Sequence, residues 1–212
     1  MIANLILESA NHTLLLIEER RTKDIVIGVP HHAPAGTPNL PCPEHWDADE
    51  NAGFLGRYLA QALNCCSVIA CNYTIDVNKS LCTDYAVQIT RWQPTILVEI
   101  HGHGGKAAKS NIEISSGSSD NNRYSVPLAD MLARGLAATD GLKDVSISGD
   151  YENLHFKASN SATIANAKWI PYHIELPPQL RKTPENGKPP HIAFAFCDLL
   201  ITALRELHHF KS

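Results

Sequence analysis

The chain has 212 residues, 44% hydrophobic and 19% charged, with a formal net charge of −4 and a pI of about 6.2. These are the proportions of one ordinary globular domain with a sizeable core, spanning residues 1–212. They give no electrostatic case for nucleic acid or an anionic membrane as partner, and no apolar run reaches the ~18 residues that a membrane span needs.

The first residues, Met1 to Leu16, lack the cationic start, long apolar run and small-residue cleavage site of a signal peptide, so the expected location is the cytoplasm. Leu14 to Ile17 is a short apolar run. Asp24 to Val29 (DIVIGV) reads as a strand that stops at Pro30-His31-His32-Ala33-Pro34, and Ala33 to Pro43 reads as a loop. Asp49 to Leu63 has helical spacing in Phe54, Leu55, Tyr58, Leu59, Ala62 and Leu63, with Asp47 or Asp49 as its cap. Ser67 to Ala70 is β-prone, and Tyr73 to Val77 is a further candidate strand. Asp84 to Trp92 reads as a helix.

Thr95 to Ile100 (TILVEI) is the clearest strand, and it runs straight into His101-Gly102-His103-Gly104-Gly105. Ser115 to Asn122 is a polar loop, and Ser125 to Ala138 a helix. Ser146 to Ser148 is a candidate strand start, while Asn153 to Asn166 has no settled period. Trp169 to Leu176 is strand-like, Leu180 to Pro190 a charged, Pro-rich loop, and His191 to His208 the final helix. Strands alternating with helices predict a three-layer α/β sandwich.

Six cysteines, Cys42, Cys65, Cys66, Cys71, Cys82 and Cys197, form no CxxC pair; they read as reduced, mostly buried thiols rather than zinc ligands. Histidine is the unusual residue, with eleven copies. His208-His209, near the end of the last helix, reads as a solvated pair.

Three groups on strand ends and loops could carry chemistry: His32, Asp49 and His101. Two imidazoles and a carboxylate are a common catalytic zinc set with one position left open. A bound zinc acidifies water and polarises a carbonyl. From spacing alone the bland reading stands beside this one, because strand-end histidines are often structural and helix-start carboxylates are often caps. His103, in its Gly-rich turn, is either a surface group or a polar contact to substrate.

Four segments, in order, resemble the N-formylglutamate amidohydrolase family. His32-Ala33-Pro34-Ala35-Gly36-Thr37-Pro38 is similar to its H-A-G-x-x-x-P element. His45 to Ala52 resembles the segment ending in D-x-G-A, Tyr73 to Lys79 the R-x-x-I-D-x-N-R element, and Val98 to Gly102 the D/E-x-H-S element. The resemblance covers roughly the first half of the chain. It implies Zn2+ on His32, Asp49 and His101, with His31 and Glu50 as alternates, and a substrate carboxylate held by Asn78 and Lys79.

The wider superfamily of zinc carboxypeptidases and aspartoacylases adds a late strand ending in a glutamate base, and His173-Ile174-Glu175-Leu176-Pro177 looks like it. Glu175 is then the implied base. The implied fold is a three-layer α/β/α sandwich with a mixed, largely parallel sheet. Asp76 and Glu99 are candidate orienting groups for the histidines. Two departures bear on the substrate. Lys79 replaces an arginine and cannot grip a carboxylate with a planar fork. Gly102 replaces a serine. Arg91, Arg123 and Arg181 are further candidate cations, and Tyr151 a candidate catalytic tyrosine.

The implied activity is hydrolysis of an amide next to a carboxylate, with a small carboxylate-bearing amide or peptide as substrate. The alternatives are a metallocarboxypeptidase, a poly-γ-glutamate hydrolase, or a non-catalytic binding protein on the same scaffold.

Overall fold

The computed structural model describes residues 2–166, 168–183 and 187–209. Residues 184–186 of the expected 180–190 loop lie outside the described residues. The strands are β1 (Leu14–Glu18), β2 (Thr22–Ala33), β3 (Asp49–Glu50), β4 (Cys65–Cys71), β5 (Ile96–Gly102), β6 (Ile112–Ser115), β7 (Ile147–Ser148) and β8 (Ile170–Leu176). They build one sheet in the order β1-β4-β2-β5-β8-β6-β7, with β3 paired to β2 off this path.

The four central strands, β4, β2, β5 and β8, are parallel. β1 is antiparallel to β4, and β6 to β8. All seven residues of β4 are buried, as a strand covered on both faces requires.

The helices are α1 (Ile2–Leu7), α2 (Ala52–Ala62), α3 (Asp84–Trp92), α4 (Asn122–Ala138) and α5 (His191–His208). One face of the sheet, with Ile25, Ile27, Val29, Val98 and Ile174, packs on Leu7, Leu55, Leu59, Leu132, Phe196 and Leu200 from α1, α2, α4 and α5. The other face, with Val26, Val68 and Leu97, packs on Tyr85, Ile89 and Trp92 of α3. The expected α/β class and the mixed, largely parallel sheet between helices are therefore present.

Alternation along β2 sends Ile25, Ile27 and Val29 to the first face and Val26 and Gly28 to the second. A Cβ at Gly28 would lie 2.2 Å from the Tyr85 hydroxyl. The glycine is what lets α3 close on the sheet. α3 itself starts at Thr83, whose hydroxyl accepts from the Ala86 amide, a side-chain cap on a free helical donor.

Several expectations are corrected. β2 does not stop before Pro30 but continues through His31 and His32 to Ala33. Asp49 does not open a helix. It sits on β3, opposite His32, and α2 begins after Asn51, which has a left-handed φ of 65°. A two-residue strand exists only through its tertiary pairing and has no periodicity to read. Tyr73 to Val77 forms bends and turns instead of a strand. α1 and β6 were not expected.

All six cysteines are free and five are buried, leaving Cys82 exposed. No helix among the described residues is long and apolar enough to cross a membrane.

Candidate metal centre

The carboxyl ends of the parallel strands converge, as they do around the sites of open α/β sheets. β2 delivers His31, β3 Asp49, β5 His101, and β8 both His173 and Glu175. All five are buried.

A bulge decides which of the two adjacent histidines takes part. Val29 pairs with Ile69 and His32 with Cys71, so β2 spends three residues where β4 spends two. Without the bulge, strict alternation from Gly28 would turn His32 toward Glu99 and His101. With the extra residue, at Pro30 and His31, it is His31 that turns that way. Proline is tolerated there because a bulge leaves a backbone donor out of the ladder.

His32 therefore does not join Asp49 and His101. Its Nε2 donates to the Leu7 carbonyl at 3.0 Å and its Nδ1 accepts from the Gly53 amide at 3.1 Å. Burial lowers its pKa to about 4, so it stays neutral. A Cβ at residue 53 would sit 2.7 Å from the His32 ring; Gly53 leaves room for the ring. Both nitrogens of His32 are committed to the backbone, and it is His31 whose ring nitrogen groups with Asp49 and His101.

Asp49 Oδ2 lies 3.5 Å from His31 Nδ1 and 3.4 Å from His101 Nδ1. The opposite nitrogens face carboxylates: His31 Nε2 is 3.0 Å from Asp76 Oδ1, and His101 Nε2 is 3.4 Å from Glu99 Oε2. Glu99 is held in turn by the hydroxyls of Tyr85 at 2.9 Å and Thr163 at 2.7 Å. A carboxylate behind each imidazole fixes its tautomer and orientation, which is how metal-binding histidines are usually supported.

The residues fit an ion. His31 Nδ1 and Asp49 Oδ2 are buried without a hydrogen-bond partner. Two ligand atoms on one tetrahedral zinc, each about 2.05 Å from it, stand about 3.3 Å apart. The two separations from Asp49 Oδ2 are close to that spacing.

His173 and Glu175 form the adjoining wall. The His173 ring lies 4.0 Å from that of His101, and its Nε2 lies 3.5 Å from Glu175 Oε1. Glu175 Oε2 is buried and unpaired. Burial, aided by the charge of Asp49, raises the Glu175 pKa to about 7, the range in which a carboxyl can both take and return a proton at neutral pH. Burial also pushes His173 well below its ordinary value, so it is neutral.

The sequence reading missed His173 and His45. The first was findable, because it lies two residues before Glu175 on one strand and so shares its face. The second was not: His45 comes from an irregular loop and stacks on His31 with ring centroids 3.7 Å apart.

The other expected residues are placed as follows. Asn78 anchors the 161–163 turn, its carbonyl accepting from the Ala162 amide at 2.8 Å. Its side-chain Oδ1 is buried without a partner. Lys79 sits at the rim with a half-exposed side chain, its Nζ 3.9 Å from Asp76 Oδ2. Both ring nitrogens of His103 bond the backbone, at 2.8 Å from the Asn111 carbonyl and 3.0 Å from the Gly105 amide.

Glu50 is engaged by the Gly36 amide and by Lys182. Arg91 is exposed on the last turn of α3. The Arg123 guanidinium lies over Tyr124, Tyr151 lies under Lys157, and Arg181 is buried.

The site has a pH signature. Burial disfavours a charge on His101, but the carboxylates of Asp49 and Glu99 outweigh it and raise its pKa to about 10. The same balance, with Asp49 and Asp76, raises His31. A group that binds its proton more tightly when folded stabilises the fold fully below its unfolded pKa, here 6.5, and loses that stabilisation as pH rises through the folded value. Chelator-treated protein should therefore show a falling urea midpoint between pH 6.5 and about 10, and His101→Gln should flatten the slope. A wild-type midpoint that does not fall across this window would contradict the arrangement.

Several solved structures share the fold, three of them as follows. N-formylglutamate amidohydrolase from Ralstonia eutropha JMP134 aligns at 12% identity and a TM-score of 0.54, covering 92% of this chain and 97% of that one. A gene product of Agrobacterium tumefaciens aligns at 15% identity and 0.56, covering 92% and 96%. YndL, in a zinc-free apo form, aligns at 12% and 0.56, covering 98% and 96%. At such identities the likeness is one of fold, and at that level the resemblance to N-formylglutamate amidohydrolase is present. Neither a family model nor a curated protein matches the sequence.

Proposed function

We propose that this protein is a zinc-dependent hydrolase of an amide bond adjacent to a carboxylate, with His31, Asp49 and His101 as ligands and Glu175 as general base. The observation that carries the reading is the trio of ligand atoms around Asp49 Oδ2, two of them buried and unpartnered, with a carboxylate behind each imidazole. The share of the fold with N-formylglutamate amidohydrolase supports the same class of reaction.

When bound, zinc supplies an electrophile for a carbonyl oxygen and makes water more acidic. The chain does the rest. Glu175 takes a proton from the attacking water and delivers it to the departing nitrogen. His173 Nε2, 3.5 Å from Glu175 Oε1, limits how that carboxyl can turn. Asp76 and Glu99 hold the two imidazoles in the tautomers that leave Nδ1 free for the ion. Lys79, beside Asn78, supplies the cation for a substrate carboxylate, as a point charge and not a fork.

A second reading keeps the site and lengthens the substrate to a peptide or a γ-linked glutamate polymer. It is favoured by a cleft of about 640 Å³ lined by Glu50, Pro178, Gln179 and Lys182, which begins one residue past Asp49 and three past Glu175.

Elemental analysis of protein purified without chelator or affinity metal tests the common part. About one zinc per wild-type chain, lost in His101→Ala, is the expected result. No zinc in the wild type after its addition at neutral pH would leave a binding protein on the same scaffold. Comparing kcat/KM for N-acyl amino acids with that for peptides separates the two substrates.

A further inference from the structure

Arg181 follows β8 and is 4% exposed. Its three guanidinium nitrogens reach three different strand ends. Nε donates to the Leu176 carbonyl at 3.2 Å, Nη1 to the Glu50 carbonyl at 3.0 Å, and Nη2 to the His103 carbonyl at 3.0 Å. Each acceptor stands one or two residues beyond a group of the metal centre. Leu176 follows Glu175, Glu50 follows Asp49, and His103 lies two past His101.

No carboxylate lies within ion-pair distance of Arg181 among the described residues, although its charge acts on the nearby Glu175 carboxylate. A permanently charged side chain whose direct bonds are all to neutral carbonyls carries a desolvation cost.

Two further contacts lock the arrangement. The Arg181 carbonyl accepts from Asn51 Nδ2 at 2.9 Å, which ties it to the residue that opens α2. A Cβ at Gly102 would lie 2.2 Å from Arg181 Nε and 2.3 Å from Cζ. The glycine between His101 and His103, where the resembled family carries serine, is the space the guanidinium occupies.

We propose that Arg181 is a positioning residue that fixes Asp49, His101 and Glu175 relative to one another by tying the ends of β3, β5 and β8 together. This rests on the hydrolase reading above. The three groups come from three strands, and ligand distances must hold to within about 0.2 Å for a metal site to work. A planar fork with donors on three sides spans three carbonyls; an ammonium donates from a single point and does not.

The test compares wild type with Arg181→Met, Arg181→Lys and Gly102→Ala, each confirmed folded by circular dichroism well below its melting temperature. Zinc affinity is read by competition with a chromophoric chelator. Arg181→Met should lose about 10–100-fold in affinity, the range found when groups supporting metal ligands are removed, and Arg181→Lys should not restore it. Gly102→Ala keeps the charge but displaces the guanidinium, so it should lose affinity in the same direction and serves if Arg181→Met does not fold. A purely structural arginine would lower the melting temperature and leave the affinity of the folded protein unchanged, and that result overturns the proposal.

Hydrogen exchange on metal-free protein reads the clamp independently of zinc. Arg181→Met, or Gly102→Ala in its place, should speed exchange together at 49–52, 102–105 and 174–176 and leave β4 unchanged. Unchanged exchange at those three ends also overturns the proposal. If wild type binds no zinc but the three ends loosen together, the hydrolase reading fails and the clamp stands.

Discussion

Glu175→Gln is expected to keep zinc at the wild-type level while turnover falls by about 10²–10⁴-fold, the usual worth of a positioned acid–base group. The substitution keeps the size of a side chain that is buried between His173 and the metal centre, so packing changes little. It removes the one property the mechanism needs, a carboxyl that gains and loses a proton. That carboxyl is the proton carrier, so the acidic limb of the wild-type kcat/KM profile should vanish in the residual activity of the variant. Elemental analysis and a pH–rate series on both proteins decide it. Turnover within a few-fold of wild type would remove Glu175 from the reaction.

The second large effect separates two neighbours. His31→Ala should leave the chain folded and without stoichiometric zinc, because it deletes one of three ligand atoms. His32→Ala should keep zinc and lose stability. It strands the Leu7 carbonyl and the Gly53 amide, both bonded by the ring, and an unsatisfied buried partner costs about 1–3 kcal/mol. It also removes the ring that α2 packs on through Phe54. Zinc titration of the two variants gives opposite patterns if the bulge is where β2 places it; both lose stability in urea, since removing His31 strands the buried Asp76 carboxylate. Loss of zinc from His32→Ala together with its retention in His31→Ala would mean that the alternate histidine had been chosen wrongly.

That pair also marks the limit of what the sequence made legible. The DIVIGV and TILVEI runs announce β2 and β5 because buried parallel strands are continuous and apolar. Asp84 to Trp92 reads as a helix and forms α3 over the same residues. His101 and Glu175 were legible as candidates because each sits at the end of an apolar strand, whereas Asp49 was picked out by the resemblance of its segment.

The choice between His31 and His32 was not legible. One inserted residue reverses the face of everything after it, and Pro30-His31-His32 looks the same with or without a bulge. β3 and β6 are too short for a periodic signal, and β3 owes its existence to pairing with a strand some 17 residues earlier. Arg181 looked like a free cation in a charged loop. Only the fold shows that each of its three nitrogens bonds a carbonyl.

The distribution of thiols has a practical consequence. Burial raises the pKa of Cys65 and Cys71 to about 12 and pushes Cys197 up as well, which keeps these sulfurs protonated and unreactive. Cys42 and Cys66 are also enclosed, and Cys82 alone is exposed. It is three residues from Lys79, on the turn that leads from the rim of the metal centre into α3. A maleimide dye added to native protein should therefore attach at a single address, and its emission would report when a ligand arrives at that rim, without any engineered cysteine.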